Sequence, residues 1–170
     1  EMLAFAVSFD GPIAIRYPRG SAHQGLREYQ APVEYGRSEI IRKGKKIAVL
    51  GVGSMIPYCM EICKGLKDDG YDPTFVNARF VKPLDVDLLD ELAKDHSLFV
   101  TVEENVKSGG YGEHVSAYME ACHPEIRVLS AAVWDRFVPQ GNVESLRSRI
   151  GLGVEDIRQA IEDSEELREQ

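Results

Sequence analysis

Along the chain, apolar and polar positions switch repeatedly between two kinds of pattern. Residues 1–10 read as the end of a helix and its exit, and the short run Ile13-Ala14-Ile15 reads as a strand over 12–16. The stretch SAHQGLREYQAPVEYG keeps no period and carries Gly and Pro, which is linker composition. From Glu39 the pattern becomes regular. EIIR (39–42) reads as a short strand, and KIAVLGVG (46–53) reads as a strand buried on both faces. Met55, Cys59, Ile62, Cys63 and Leu66 then recur at helical spacing, stopped by Asp69-Gly70.

The alternation continues. PTFVNARFV (73–81) predicts a strand, and Asp85 stands as N-cap before the apolar stripe Val86, Leu88, Leu89 and Leu92. SLFVTVEE (97–104) predicts another strand, followed by a glycine loop and a helix carrying Val115, Tyr118, Met119 and Cys122. IRVLSAAV (126–133) adds a strand, and helices from about Val143 and Val154 lead to an acidic tail. Strands alternating with helices predict a mostly parallel sheet covered on both faces, an α/β fold. One such domain is expected over 36–170, with 1–20 belonging to something else and 21–35 as linker.

Composition narrows the function classes. Hydrophobic residues make up 44% of the 170 residues and charged residues 28%, values of an ordinary globular chain. The formal charge of −8 argues against a nucleic-acid surface, which needs clustered cations. No apolar run is long enough to span a membrane, and the start lacks a signal peptide's basic residues, so a cytoplasmic protein is expected. Cys59, Cys63 and Cys122 have no disulfide-framework spacing and complete no tetrahedral metal site; they read as apolar thiols. His23, His96, His114 and His123 are scattered and read as surface or capping residues.

Candidate chemistry falls at strand ends, where open α/β sheets bind ligands. In GPIAIRYPRG, Pro18 stiffens the backbone between Arg16 and Arg19, whose planar donors suit a phosphate or carboxylate, or a salt bridge. In TVEENVKSGGYGEH, Gly109 and Gly110 precede a helix start that could attract an anion. Glu103, Glu104 and Glu113 would repel one, so turn glycines and capping glutamates are the favoured reading. Paired carboxylates could also exchange protons if one were desolvated. In ARFVKPLD, Pro83 and Asp85 have structural explanations, and Arg79 and Lys82 read as salt-bridge partners.

GPIAIRYPRG, NARFVKPLD, TVEENVKSGGYGEHV and RFVPQG occur in the order and spacing of the carboxyl-terminal portion of the 1-deoxy-D-xylulose 5-phosphate synthase family, in the transketolase superfamily. The chain resembles that family over essentially its whole length. The resemblance implies a three-layer α/β/α fold with a mixed, mostly parallel five-stranded sheet, its first strand near 38–42 running against the others. It implies that residues 1–20 are the last helix and strand of a pyrimidine-binding domain. It also implies a transferase that joins pyruvate to D-glyceraldehyde 3-phosphate with loss of carbon dioxide, serving isoprenoid and thiamine biosynthesis. Thiamine diphosphate and Mg2+ would serve the full-length homodimer, with no cofactor or metal site and no catalytic residue in this segment, which alone would be inactive.

Arg19 matches the family's contact to the acceptor phosphate, whereas Arg16 is a structural neighbour. Two alternatives stand beside this. One is a non-catalytic anion- or partner-binding module using Arg16, Arg19 and the Gly109–Gly110 loop. The other is the small half of a split transketolase, for which Tyr17-Pro18-Arg19-Gly20 is the wrong strand ending.

Overall fold

A computed structural model describes residues 1–17, 23, 25–26, 29 and 31–164. After helix α1 (Met2–Ser8), the elements are β1 (Glu39–Arg42), β2 (Lys46–Gly51), a 3-10 turn (Gly53–Met55), α2 (Ile56–Asp68), β3 (Thr74–Asn77) and α3 (Val86–Ala93). Then follow β4 (His96–Val106), α4 (Tyr111–Cys122), β5 (Arg127–Val133), α5 (Val143–Arg149) and α6 (Val154–Glu162). The sheet has the order β1-β3-β2-β4-β5. β1 is antiparallel to β3, and the other pairings are parallel. This is the expected mixed, mostly parallel five-stranded sheet, including the reversed first strand.

Side-chain alternation divides the core into two layers. Ile47 and Val49 of β2, Phe75 of β3, and Leu98, Val100 and Val102 of β4 face α2 and α6, meeting Cys59, Ile62, Leu66, Ile157 and Ile161. Ala48, Leu50, Val76 and Phe99 point the opposite way, toward Leu89 and Leu92 of α3 and Val115 and Met119 of α4. Because both faces are covered, the central strands are apolar at successive positions rather than at every second one. Each fully buried Leu or Ile contributes about 1.5–3 kcal/mol of transfer free energy. Cys59 and Cys63 belong to the α2 stripe; burial raises both thiol pKa values, that of Cys63 to about 12, so they stay protonated.

Three expectations change. The strand expected over 12–16 is not formed: among the described residues no strand pairs with it, and the chain ahead of it instead stacks rings on the domain through Phe5, Phe9, Tyr35 and Phe80. β3 stops at Asn77 instead of reaching residue 81. There the Ala78 amide donates to Gly51 O, and Arg79 adopts φ 54°, its amide bonded to Asn77 Oδ1.

His96 is the third, a buried residue rather than a surface one. Leu92 O can only accept, so His96 Nδ1 donates to it at 2.8 Å. Nε2 then accepts from the Thr74 hydroxyl at 2.7 Å, and Thr74 Oγ1 accepts from the Gly44 amide at 2.9 Å. Desolvation lowers the His96 pKa below 6.5. The unfolded chain therefore binds the proton more readily, and stability is full above pH 6.5 and declines as pH falls below it. The urea midpoint should drop between pH 7 and 5, with part of the drop abolished in His96→Gln. An imidazole titrating above 6.5 in the folded protein by NMR would contradict this.

Candidate functional site

The carboxyl ends of β2, β3, β4 and β5 gather on one edge of the sheet, together with the 3-10 turn, the Lys107–Gly110 loop and α5. Two adjacent glutamates at the end of β4 organise this edge, and strand alternation sends them in opposite directions.

Glu103 points under α4. It is 2% exposed, and its carboxylate accepts from the Tyr111 amide at 2.9 Å and the Gly112 amide at 2.8 Å. These are amides of the first turn of α4, which have no partner inside the helix. Glu103 is thus the anion that this helix start attracts. Next to it the Gly109 amide donates to Glu113 Oε2 at 2.6 Å. Gly112 is required by close approach: a methyl group there would lie 2.2 Å from Ser130 Oγ and 2.5 Å from Thr101 Oγ1.

Glu104 faces the other side. Its Oε2 accepts from Ser54 Oγ at 2.9 Å, and its Oε1 lies 3.0 and 2.9 Å from Nε and Nη2 of Arg147, so one oxygen takes both arms of the guanidinium. Arg147 also donates to Tyr58 Oη at 2.5 Å and stacks 4.5 Å over that ring. The Glu104 carbonyl accepts from Nη2 of Arg16 at 3.0 Å, which fastens the 12–17 segment to the same edge. The paired carboxylates are therefore committed to structure, and no proton-transfer role is assigned to them.

Arg79 is also engaged. Its guanidinium pairs with Glu39 at 2.5 Å, both side chains 8% exposed, and donates to Ala31 O at 3.0 Å and Pro32 O at 3.1 Å. Asp85 caps α3 through the Leu88 amide, as the sequence predicts, and also accepts from the Ser38 amide and Arg37. Lys82 forms no salt bridge among the described residues.

Arg19, the predicted phosphate contact, lies outside the described residues, as do Pro18 and Gly20. The sequence reading did not single out Arg147. The only signal for it is a basic residue in the last turn of α5, and nothing in the pattern marks a glutamate 43 residues earlier as its partner. Among the described residues, no group of three or more His, Cys, Asp or Glu side chains could hold a metal ion. Glu103 and Glu104 are both taken up by protein donors, so the donor set at this edge does not fit Mg2+.

The chain is 41% identical over 158 residues to the 1-deoxy-D-xylulose-5-phosphate synthase of Lachnoclostridium phytofermentans, covering 92% of this chain and 25% of that one. It is 39% identical to the synthase of Dictyoglomus thermophilum, covering 95% of this chain and 26% of that one. The chain thus spans about a quarter of the length of these curated relatives. Among solved structures, a split gene transketolase described as an inactive beta4 tetramer superposes with a TM-score of 0.86 at 28% identity, covering 98% of this chain and 53% of that one. Transketolase from Campylobacter jejuni shares the fold, with a TM-score of 0.56 at 18% identity, covering 80% of this chain and 20% of that one. Residues 36–157 match the family described as "Transketolase, C-terminal domain", and the chain belongs to that family.

Proposed function

We propose that this chain is the carboxyl-terminal portion of a thiamine-diphosphate-dependent 1-deoxy-D-xylulose 5-phosphate synthase. The longer protein would join pyruvate to D-glyceraldehyde 3-phosphate with release of carbon dioxide. The observation that carries this reading is the 41% identity to a synthase over 92% of the chain. Residues 1–20 would end a pyrimidine-binding domain, 21–35 would link, and 36–170 would form the transketolase-type domain of a cytoplasmic homodimer. Thiamine diphosphate, held with Mg2+ by the other domains, supplies the carbon–carbon bond chemistry.

This chain's share is binding and packing. Arg19 takes the phosphate of the aldehyde, and that remote contact positions the reacting carbon. Arg16 holds the segment leading to Arg19 against the Glu104 carbonyl. A free-standing anion module is less well supported, because Glu103 and Glu113 already accept from the amides such a module would use. The small half of a split transketolase is a second reading, favoured by the 0.86 TM-score to that class.

Product analysis separates the readings. The longer protein, given pyruvate, D-glyceraldehyde 3-phosphate, thiamine diphosphate and Mg2+, should form 1-deoxy-D-xylulose 5-phosphate, and the 170-residue chain alone should form none. Transfer of a two-carbon unit from a ketose phosphate, without decarboxylation of pyruvate, would assign the chain to a transketolase instead.

A further inference from the structure

The two edges of the sheet are built differently. The β1 edge is short, its register to β3 is broken between Ile40 and Arg42, and Glu39 and Arg42 sit on it with charged partners. These are the devices that keep an edge strand from pairing with another chain. The β5 edge carries fewer of them: its register to β4 shifts only beyond Val102/Ala131, and its one charged residue is Arg127 at the start. β5 runs for seven residues, pairs with β4 in unbroken register from Leu98/Arg127 to Val102/Ala131, and carries neither charge nor proline from Val128 to Val133. Among the described residues it bonds a strand on one side only.

The flanks of this edge are complementary to each other. Arg127 at its start and Asp135 just beyond its end are both exposed, and neither has an ion-pair or hydrogen-bond partner among the described residues. Trp134, between β5 and Asp135, is also exposed, with Lys107 Nζ 5.1 Å from the ring centroid. Antiparallel pairing of two copies about Ala131 would bring Arg127 of each beside Asp135 of the other. It would also lay each Trp134 near the other copy's Val128. A parallel arrangement would oppose like charges.

We propose that the outer edge of β5 is a self-association surface, on which a second copy of this chain adds its β5 antiparallel and joins two five-stranded sheets into one. The contact needs only the β5 edge and its two flanking charges, so it stands or falls independently of the synthase reading. A strand of this length presents an edge of about 23 Å at ~3.3 Å per residue. The buried area falls in the small class, below about 1,200 Å2. Association is accordingly weak and appears between about 10 µM and 1 mM.

Sedimentation equilibrium of the 170-residue chain tests this, with hydrogen exchange of the β5 amides as a second readout. The weight-average mass should climb toward twice the monomer's over that range, and exchange at β5 should slow in step. Arg127→Asp should abolish both changes, and Arg127→Asp combined with Asp135→Arg should restore them. Both side chains are exposed, and an unchanged urea midpoint verifies that each variant folds. A chain that stays monomeric at 1 mM, an association indifferent to Arg127→Asp, or a double variant that fails to recover would each overturn the proposal.

Discussion

In the longer enzyme, Arg19→Ala should raise KM for D-glyceraldehyde 3-phosphate by about 10- to 100-fold while leaving KM for pyruvate within roughly twofold, because a charge-assisted hydrogen bond contributes ~1.5–3 kcal/mol and each 1.4 kcal/mol is about tenfold. The split between substrates is the diagnostic feature. Pyruvate has no phosphate, so a guanidinium that binds one cannot favour it. Arg19→Lys should recover part of the loss, since an ammonium keeps the charge and loses the planar fork. An acceptor lacking the phosphate should be used equally well by the parent and the alanine variant. Equal increases for both substrates would remove Arg19 from the clamp role and leave it a merely structural residue of the Tyr-Pro-Arg-Gly segment.

Glu103→Ala should be the most damaging single change in the described domain outside its apolar core. It removes the acceptor for two amides at the buried start of α4. Each buried donor left without a partner costs about 1–3 kcal/mol, so a loss of roughly 2–6 kcal/mol follows for the two. The urea midpoint should fall with the slope unchanged, as for a variant with the same exposed area on unfolding. Glu103→Gln should fall between the two, because its amide keeps one acceptor oxygen and turns a donor toward the second amide. Faster exchange at Tyr111 and Gly112, with β2 amides unaffected at low denaturant, would locate the damage to the helix start. A change below about 0.5 kcal/mol would mean that water replaces the carboxylate there.

Most of the fold was legible because its signals are local. The apolar run over 46–51 and the helical spacing of Met55 to Leu66 depend only on neighbours in the chain, and the structure has β2 and α2 there. The Asp85 cap was readable for the same reason. What stayed hidden depends on distant partners. An apolar triplet at Ile13–Ile15 looks like a strand, but a strand also needs a neighbour to pair with, and nothing inside the triplet tells that none among the described residues does so. The strand pattern through residue 81 could not reveal that Arg79 turns out of the sheet toward Glu39 and the carbonyls of residues 31 and 32. Adjacent glutamates give no hint that one serves a helix eight residues on and the other an arginine on α5. His96 looked like any polar residue before a strand until Thr74 and Leu92 closed around it.

The Arg79 bracket has a consequence for how the polypeptide can be rearranged. Because Ala31 and Pro32 are gripped through their carbonyls, and the Ala31 amide is bound by Glu39, the incoming strand of chain is delivered to the sheet at a fixed point. Between Pro32 and Glu39 an extra residue would have to be absorbed without breaking the grip at either end, so insertions there bear directly on where β1 begins.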